Sequence, residues 1–189
     1  MLAQKIKVLI ADDHIIFRRG LKMLLASIDG IELVGEAENG LDLLAVAGRY
    51  TPDVFLIDIS MPVMDGVMAT KELCKRHPGA KVIALSVFGQ ETHIMEMLDA
   101  GALGYLMKNA DKDDIEQAIV SVYNNRSYFC TESNKQVKDL IEKFQSGSKE
   151  HLVVFSEREK DIITLICKGF ISKEIACTLY LSQRTVEGH

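Results

Sequence analysis

Residues 53–66 read DVFLIDISMPVMDG, and this stretch decides the fold. Its run VFLI (54–57) is apolar at every position, so both faces of the strand that it predicts must be covered by other parts of the chain. Asp58 ends the strand, Pro62 limits the chain that follows, and Gly66 permits a tight loop into the next helix. The stretch therefore predicts a buried strand with a carboxylate at its end.

Four further short apolar runs flank this strand, namely IKVLIA (6–11), IELVGEA (31–37), KVIALS (81–86) and GYLMK (104–108). Amphipathic stretches with helical spacing alternate with them. Five strands thus alternate with five helices over residues 1–123, and parallel neighbours need such crossovers, so we predict a parallel α/β sheet. The site of an open sheet of this kind lies beyond the C-terminal ends of its strands.

Polar side chains stand at four of these strand ends, and they are Asp12 and Asp13, Asp58, Ser86, and finally Tyr105 and Lys108. Three carboxylates held close together repel one another, so at neutral pH the cluster favours a cation. Hard oxygen ligands suit Mg²⁺. A carboxylate can also act as a nucleophile and form an aspartyl-phosphate, which Lys108 could pair with and to which Ser86 could donate a hydrogen bond.

The motifs ADDH (11–14), DVFLIDISMPVMDG (53–66), ALS (84–86) and GYLMK (104–108) together resemble the receiver domain of bacterial two-component response regulators. The resemblance covers about residues 1–123. It implies a flavodoxin-like (βα)5 fold with strand order 2-1-3-4-5. It also implies that a sensor histidine kinase transfers a phosphoryl group to Asp58 in a step that needs Mg²⁺, for which Mn²⁺ could substitute.

The same resemblance implies a ligand set for the metal. It assigns direct ligation to Asp13, to Asp58 and to the backbone carbonyl of Ser60, and ligation through a water molecule to Asp12. Since the chain would only take up and release its own phosphoryl group, we do not expect a turnover enzyme.

The resemblance also implies a switch. Ser86 and Lys108 match the hydroxyl and the lysine that contact the phosphoryl group. Tyr105 matches the aromatic residue that swings inward when Ser86 moves toward the phosphate, which is a two-state element biased by one new charge. An ordinary half-buried tyrosine at a strand end remains the alternative for Tyr105.

Residues 124–150 have a weaker pattern and are interpreted as a linker, with a polar helix near 131–145 followed by the Gly/Ser-rich segment SGSKE (146–150). Residues 155–189 then resemble the LuxR-type helix-turn-helix of response regulators of the NarL/FixJ class. That resemblance implies a small all-α domain at 151–189, with a scaffold helix near 156–168, a first motif helix near 172–179 and a recognition helix that begins at about Ser182.

The recognition helix would dock in the major groove of promoter DNA. The candidate contacts are Lys173, Gln183, Arg184, Thr185, Glu187 and His189. Two of these assignments stay open. Thr185 contacts either a base or the protein core, and the side chain of Lys173 either contacts a phosphate or is solvated. Because the chain stops at His189, inside the recognition helix of the family pattern, we expect an incomplete domain that binds DNA poorly.

Composition limits the other classes of function. The chain is 48% hydrophobic and 26% charged with a net charge of −5, so its overall charge does not indicate a nucleic-acid binder and that prediction rests on the motif alone. Its apolar runs are too short to span a membrane, and the N-terminus lacks the pattern of a secretion signal. We therefore expect a cytoplasmic protein whose four cysteines are free thiols.

The leading hypothesis is a transcription regulator controlled by phosphorylation, which homodimerises or releases its helix-turn-helix when Asp58 is phosphorylated. An aspartate-based phosphohydrolase is the first alternative, although Asp58 is followed by Ile-Ser and not by a second aspartate two residues on. A receiver that acts only through protein contacts is the second.

Overall fold

The computed structural model describes residues 5–87, 91–129, 165, 170 and 172–179. The chain divides into two compact units, Met1–Glu142 and Lys143–His189. In chain order the elements are β1 (Ile6–Ala11), α1 (Ile15–Ala26), β2 (Ile31–Ala37), α2 (Gly40–Tyr50), β3 (Val54–Asp58), α3 (Gly66–Arg76), β4 (Val82–Ser86), α4 (Glu91–Asp99), β5 (Gly104–Met107), α5 (Lys112–Tyr123), β6 (Tyr128–Phe129) and α6 (Ser172–Thr178).

The strands form one parallel sheet in the order β2-β1-β3-β4-β5-β6. The predicted order 2-1-3-4-5 is therefore confirmed for the first five strands. The sixth strand was not predicted, because two residues are too few to show the alternation that marks a strand. Tyr128 and Phe129 pair with Gly104 and Tyr105, so the chain continues along the sheet after α5, where we had interpreted the start of a linker.

The side chains of alternate residues in the central strands pack in two separate cores, one on each face of the sheet, as expected for a sheet covered on both faces. Phe55 and Ile57 point into one core, which α2, α3 and α4 cover. Val54 and Leu56 point into the other, which α1 and α5 cover. Each fully buried aliphatic side chain of this kind is worth about 1.5–3 kcal/mol, so these cores fix the position of the strand ends.

Short polar side chains begin three of the helices. Asn39, Asp65 and Asp111 each accept the backbone N–H three residues on, at the starts of α2, α3 and α5. Such caps satisfy N–H groups that have no partner within the helix and contribute about 1 kcal/mol each. They help to set where each loop at the carboxyl edge of the sheet ends.

In the second unit, α6 coincides with the predicted first motif helix, and its residues Ile175 and Ala176 are buried against Leu165 and Leu179. The predicted helices near 131–145, near 156–168 and from Ser182 onward lie outside the described residues. Among the helices that the structure describes, none has both the length and the apolar character that crossing a membrane requires.

Candidate functional site

Two buried carboxylates meet at the carboxyl edge of the sheet. Asp12 directly follows β1 and Asp58 is the last residue of β3, and these strands are parallel neighbours in which Ala11 pairs with Ile57. Asp12 is 0% exposed and Asp58 is 2% exposed. Because charged groups are costly to bury without partners, the two carboxylates require cations nearby.

Lys108 is the cation that the chain itself supplies. It follows β5, and its Nζ lies 2.7 Å from Asp12 Oδ2 and 2.9 Å from Asp58 Oδ2. Its backbone N–H donates to the Ser86 carbonyl at 2.7 Å, and its ammonium lies 5.0 Å from the centre of the Phe17 ring. With an 11% exposed side chain, Lys108 bridges both carboxylates from within the protein.

A divalent cation fits the donors that remain. Ligand atoms of Asp12, Asp13, His14 and Asp58 all lie within 4.8 Å of one another. The three carboxylates and the Lys108 ammonium leave a net charge of −2, which one divalent ion would balance. The hard oxygen donors match the preference of Mg²⁺, so the residues present fit the metal that the sequence predicted.

His14 borders this cluster as the residue that precedes α1. Its backbone N–H donates to Asp12 Oδ1 at 2.8 Å, and its Nδ1 lies 2.8 Å from Asp13 Oδ1. The imidazole of His14 therefore contacts the carboxylate of Asp13, which is more exposed than that of Asp12.

Burial raises the pKa of the Asp58 carboxyl above its ordinary value of 3.8. The ion pair with Lys108 opposes this rise, the nearby negative charge of Asp12 adds to it, and the Ser60 N–H, 3.4 Å from Asp58 Oδ1, lowers the pKa slightly. A carboxyl in this setting depends on neighbouring cations to stay ionised.

The loop after β3 runs close to the Asp58 backbone. Gly66 donates its N–H to the Ile59 carbonyl at 2.8 Å, and a Cβ atom at Gly66 would lie 2.2 Å from the Asp58 carbonyl oxygen. Val63 adopts a positive φ of 68°, and Met64 donates to the Pro62 carbonyl across it at 2.7 Å. The Ser60 carbonyl belongs to this loop, and its role as a metal ligand stays a prediction.

Ser86 and Tyr105, the predicted switch residues, are both buried. Ser86 ends β4, and its Oγ donates to the Val87 carbonyl at 2.9 Å. Tyr105 lies on β5 opposite Ala84 and packs in the core that α4 covers. The structure thus places Ser86 beside Lys108 in the backbone ladder and Tyr105 two register positions from Ser86, while their switching roles remain predictions.

Arg18 was missed by the sequence reasoning. It is 6% exposed, its Nη1 donates to the Asp12 carbonyl at 2.6 Å, and its Nη2 lies 2.7 Å from Glu38 Oε1. A usable signal was present, because Arg18 shares the inward face of α1 with Leu21 and Leu25. A charged residue on an apolar helical face must have buried partners, so its spacing could have marked it.

The predicted DNA contacts are not described by the structure. Gln183, Arg184, Thr185, Glu187 and His189 lie outside the described residues. The backbone of Lys173 belongs to α6, but its side chain is not among the side chains that the structure describes.

The chain matches two known protein families in the order that the motifs suggested. Residues 8–120 match the response regulator receiver domain, and residues 153–189 match the bacterial regulatory proteins of the luxR family. The first match alone covers more than half of the chain. The protein therefore belongs to the two-component response regulators of the NarL/FixJ class, transcription regulators that join a receiver domain to a LuxR-type helix-turn-helix.

Relatives from two bacteria align with nearly the whole chain. YhcZ of Bacillus subtilis (strain 168), an uncharacterized transcriptional regulatory protein, is 35% identical over 183 residues, which span 97% of this chain and 85% of YhcZ. The oxygen regulatory protein NreC of Staphylococcus aureus (strain JH9) is 35% identical over 191 residues, which span 97% of this chain and 87% of NreC.

Solved structures share the same architecture. ChrA, the response regulator of a heme-sensing two-component system, superposes with a TM-score of 0.61 at 30% identity, covering 98% of this chain and 86% of ChrA. The response regulator RcsB, in its complex with DNA, gives a TM-score of 0.71 at 25% identity, covering 98% of this chain and 88% of RcsB.

Proposed function

We propose that Asp58 accepts a phosphoryl group from a sensor histidine kinase and that this modification controls DNA binding by the C-terminal domain. The observation that carries the proposal is the Asp12–Lys108–Asp58 arrangement, in which one ammonium holds two buried carboxylates at 2.7 and 2.9 Å beside a third. A carboxylate that serves only structure has no need of so many charged neighbours in a buried position.

The transfer follows from the chemistry of the carboxylate. An oxygen of Asp58 attacks the phosphorus of the donor phosphohistidine, a P–O bond forms, and the P–N bond breaks with its electron pair left on the imidazole. The nucleophile must be ionised. Lys108 favours that form because its ammonium opposes the rise in the pKa of Asp58 that burial causes.

The cation site would serve the same step. Asp13, Asp58 and the Ser60 carbonyl would hold Mg²⁺ directly and Asp12 through water, and Mn²⁺ would fit the same hard donors. When bound, Mg²⁺ supplies positive charge for the phosphoryl oxygens during transfer. Lys108 then exchanges part of its contact with Asp58 for the new phosphoryl group, and Ser86 can rotate its hydroxyl from the Val87 carbonyl toward it.

The effect of phosphorylation at Asp58 would be transmitted through β5, because Tyr105 and Lys108 belong to one short segment of chain. We propose that Tyr105 responds to a move of Ser86 and that the change reaches a DNA-binding region at 151–189 through a linker that includes 124–150. RcsB has been solved on DNA and as dimers, which supports promoter DNA and a second copy as partners of the phosphorylated chain.

Uptake of phosphoryl groups from acetyl phosphate tests the central step. We expect Mg²⁺-dependent labelling of about one group per chain in the wild type and none in Asp58→Asn. Asp65→Asn is the matched control, because Asp65 caps α3 in the same loop and asparagine caps equally well. Equal labelling of Asp58→Asn and the wild type would contradict the assignment.

Two further outcomes separate the alternatives. Repeated turnover of a phosphate ester would indicate a phosphohydrolase. A phosphorylated chain that changes its contacts with other proteins, without any change in DNA binding, would indicate a receiver that acts through protein contacts alone.

A further inference from the structure

Arg18 is a permanently charged residue buried in the receiver unit next to the acidic site. Its side chain belongs to the inward face of α1 and is almost completely removed from solvent. A guanidinium keeps its charge at any pH at which the protein is folded, so its burial is tolerable only if its N–H groups find good partners. The identity of those partners indicates what the residue does.

One arm of the guanidinium holds the loop that carries the acidic pair. Arg18 Nη1 donates to the carbonyl oxygen of Asp12 at 2.6 Å. That carbonyl is part of the planar peptide that joins Asp12 to Asp13, so the hydrogen bond fixes the plane of this peptide and the directions in which both side chains leave the backbone. The N–H of Asp12 donates to the Ala37 carbonyl at 3.1 Å, so the backbone is held on both sides of the residue.

The other arm is anchored at the end of β2. Arg18 Nη2 lies 2.7 Å from Glu38 Oε1, and its Nε lies 3.9 Å from Glu36 Oε2. Glu36 in turn lies 2.6 Å from Lys22 Nζ. The guanidinium charge is therefore balanced locally by carboxylates. Arg18 acts on the acidic site mainly through the fixed geometry of its N–H groups and less through its charge.

We propose that Arg18 is a positioning residue for cation binding, which presets the Asp12–Asp13 peptide so that the carboxylates need no reorganisation when the metal arrives. This inference rests on the proposed function, because it concerns the metal that assists phosphoryl uptake. Residues that orient metal ligands from behind typically contribute about 10–100-fold to metal affinity. The loss of Arg18 should therefore appear in metal affinity, while the maximal rate of phosphorylation changes little.

The test measures Mn²⁺ binding to the full chain by electron paramagnetic resonance, together with the Mg²⁺ dependence of labelling by acetyl phosphate. Arg18→Met keeps the length of the side chain and removes the fork. We expect it to weaken Mn²⁺ binding by at least about 10-fold and to raise the half-saturating Mg²⁺ concentration equally. Arg19→Met is the matched control, because Arg19 is the exposed neighbour on the same helix, and it should stay within about twofold of the wild type.

A role in stability alone would lower the free energy of unfolding, but it would not move the Mg²⁺ midpoint of a variant that circular dichroism shows to be fully folded. Arg18→Lys, which can reach only one of the two partners at a time, should lie between Arg18→Met and the wild type. If Arg18→Met does not fold by circular dichroism, Arg18→Lys and Glu38→Gln carry the test, and unshifted midpoints in both overturn the inference.

The inference and the proposed function fail in different ways. If the wild type binds no Mn²⁺, or if Asp58→Asn labels like the wild type, the proposed function is wrong. If the wild type binds Mn²⁺ and is labelled at Asp58, but Arg18→Met and Arg19→Met share one Mg²⁺ midpoint, only the positioning role of Arg18 is wrong.

Discussion

Lys108 and Asp58 form an ion pair of 2.9 Å between the loop after β5 and the end of β3, with almost no access for water. The same ammonium lies 2.7 Å from Asp12. One lysine thus pairs with two buried carboxylates and lowers the pKa of Asp58, so the ionisation of Asp58 is sensitive to substitutions on another strand.

Removal of Lys108 should shift the pH dependence of phosphorylation. Lys108 lowers the pKa of Asp58 against the effect of burial, so in Lys108→Met this pKa rises further and the ionised nucleophile appears only at higher pH. We expect the acid limb of the rate profile with acetyl phosphate, at fixed Mg²⁺, to move to higher pH. At neutral pH the rate should fall on the order of 100-fold, the usual worth of one oriented charge in such a step.

The control for this experiment is Lys112→Met. Lys112 is exposed at the start of α5 and donates to the Ser27 carbonyl at 3.0 Å. Its removal should leave the profile in place. An acid limb that is identical in Lys108→Met and Lys112→Met would show that Lys108 does not control the ionisation of Asp58.

Asp58, the proposed phosphoacceptor, should lower the free energy of unfolding. Because burial places the folded-state pKa of Asp58 above 3.8, the ionised carboxylate is less favourable in the folded protein than in the unfolded chain. Both states are protonated at low pH, and the penalty develops as the pH rises through the folded-state pKa. At pH 7, in the absence of divalent ions, Asp58→Asn should therefore be more stable than the wild type by about 1 kcal/mol.

Urea denaturation, followed by circular dichroism at several pH values, measures the difference in stability between Asp58→Asn and the wild type. The advantage of Asp58→Asn should shrink toward acidic pH, and millimolar Mg²⁺ should reduce it by stabilising the folded wild type. Asp65→Asn should match the wild type throughout, since asparagine replaces aspartate as an N-cap at little cost. If the wild type were more stable than Asp58→Asn at pH 7 without metal, the ionised Asp58 carboxylate would not destabilise the fold.

A side chain at position 66 should displace the loop that follows Asp58. In Gly66→Ala the new Cβ would lie 2.2 Å from the Asp58 carbonyl oxygen and 2.9 Å from the Ile59 Cα, and both are backbone atoms that cannot rotate away. We expect a loss of about 2–4 kcal/mol in the free energy of unfolding and weaker phosphorylation. Gly48→Ala, with open space around its Cβ inside α2, should instead be stabilised by about 0.5–1 kcal/mol.

These outcomes are measured by denaturation and by labelling of the same two proteins. Equal stability of Gly66→Ala and Gly48→Ala would mean that the loop can move aside. The close contact at Gly66 would then not be what fixes the backbone of Asp58.

The meeting of Asp12, Asp58 and Lys108 could be predicted from the strand ends, whereas the sheet order was implied by the resemblance to receiver domains. Each of these residues stands at the C-terminal end of a strand rich in apolar residues, and the ends of parallel strands must meet at one edge. The bridging position of Lys108 could not be predicted, because it depends on the side-chain conformation of a flexible residue. Sequence alone gave no reason to expect its ammonium on both carboxylates rather than in solvent.

Two other features escaped prediction for different reasons. Arg18 was overlooked because a single arginine in an amphipathic helix is usually solvated, and only its helical position beside Leu21 and Leu25 argues otherwise. β6 was overlooked because Tyr128 and Phe129 gain their strand geometry from β5 and not from their own pattern. Contacts between distant segments thus account for both misses.

The short strand β6 should be held in place mainly by Tyr128. Its N–H donates to the Leu103 carbonyl at 3.2 Å, and its hydroxyl donates to Asp114 Oδ1 at 3.0 Å in the first turn of α5. Tyr128→Phe removes only the hydroxyl contact and should lower the free energy of unfolding by about 1 kcal/mol. Tyr123→Phe, at the exposed end of the same helix, should change it by less than about 0.5 kcal/mol.

A double-mutant cycle with Asp114→Ala isolates the contact, because it subtracts the separate effect of Asp114 on the start of α5. We expect a coupling energy between positions 114 and 128 of about 0.5–1.5 kcal/mol, and faster hydrogen exchange at the Tyr128 amide once the bond is lost. Phe129 pairs with Tyr105 in the next register position. Loss of the Tyr128 hydroxyl contact should therefore also weaken the pairing of β6 with β5 beside Tyr105, the candidate switch residue. A coupling energy near zero, with unchanged exchange at Tyr128, would mean that backbone pairing alone holds β6 against Tyr105.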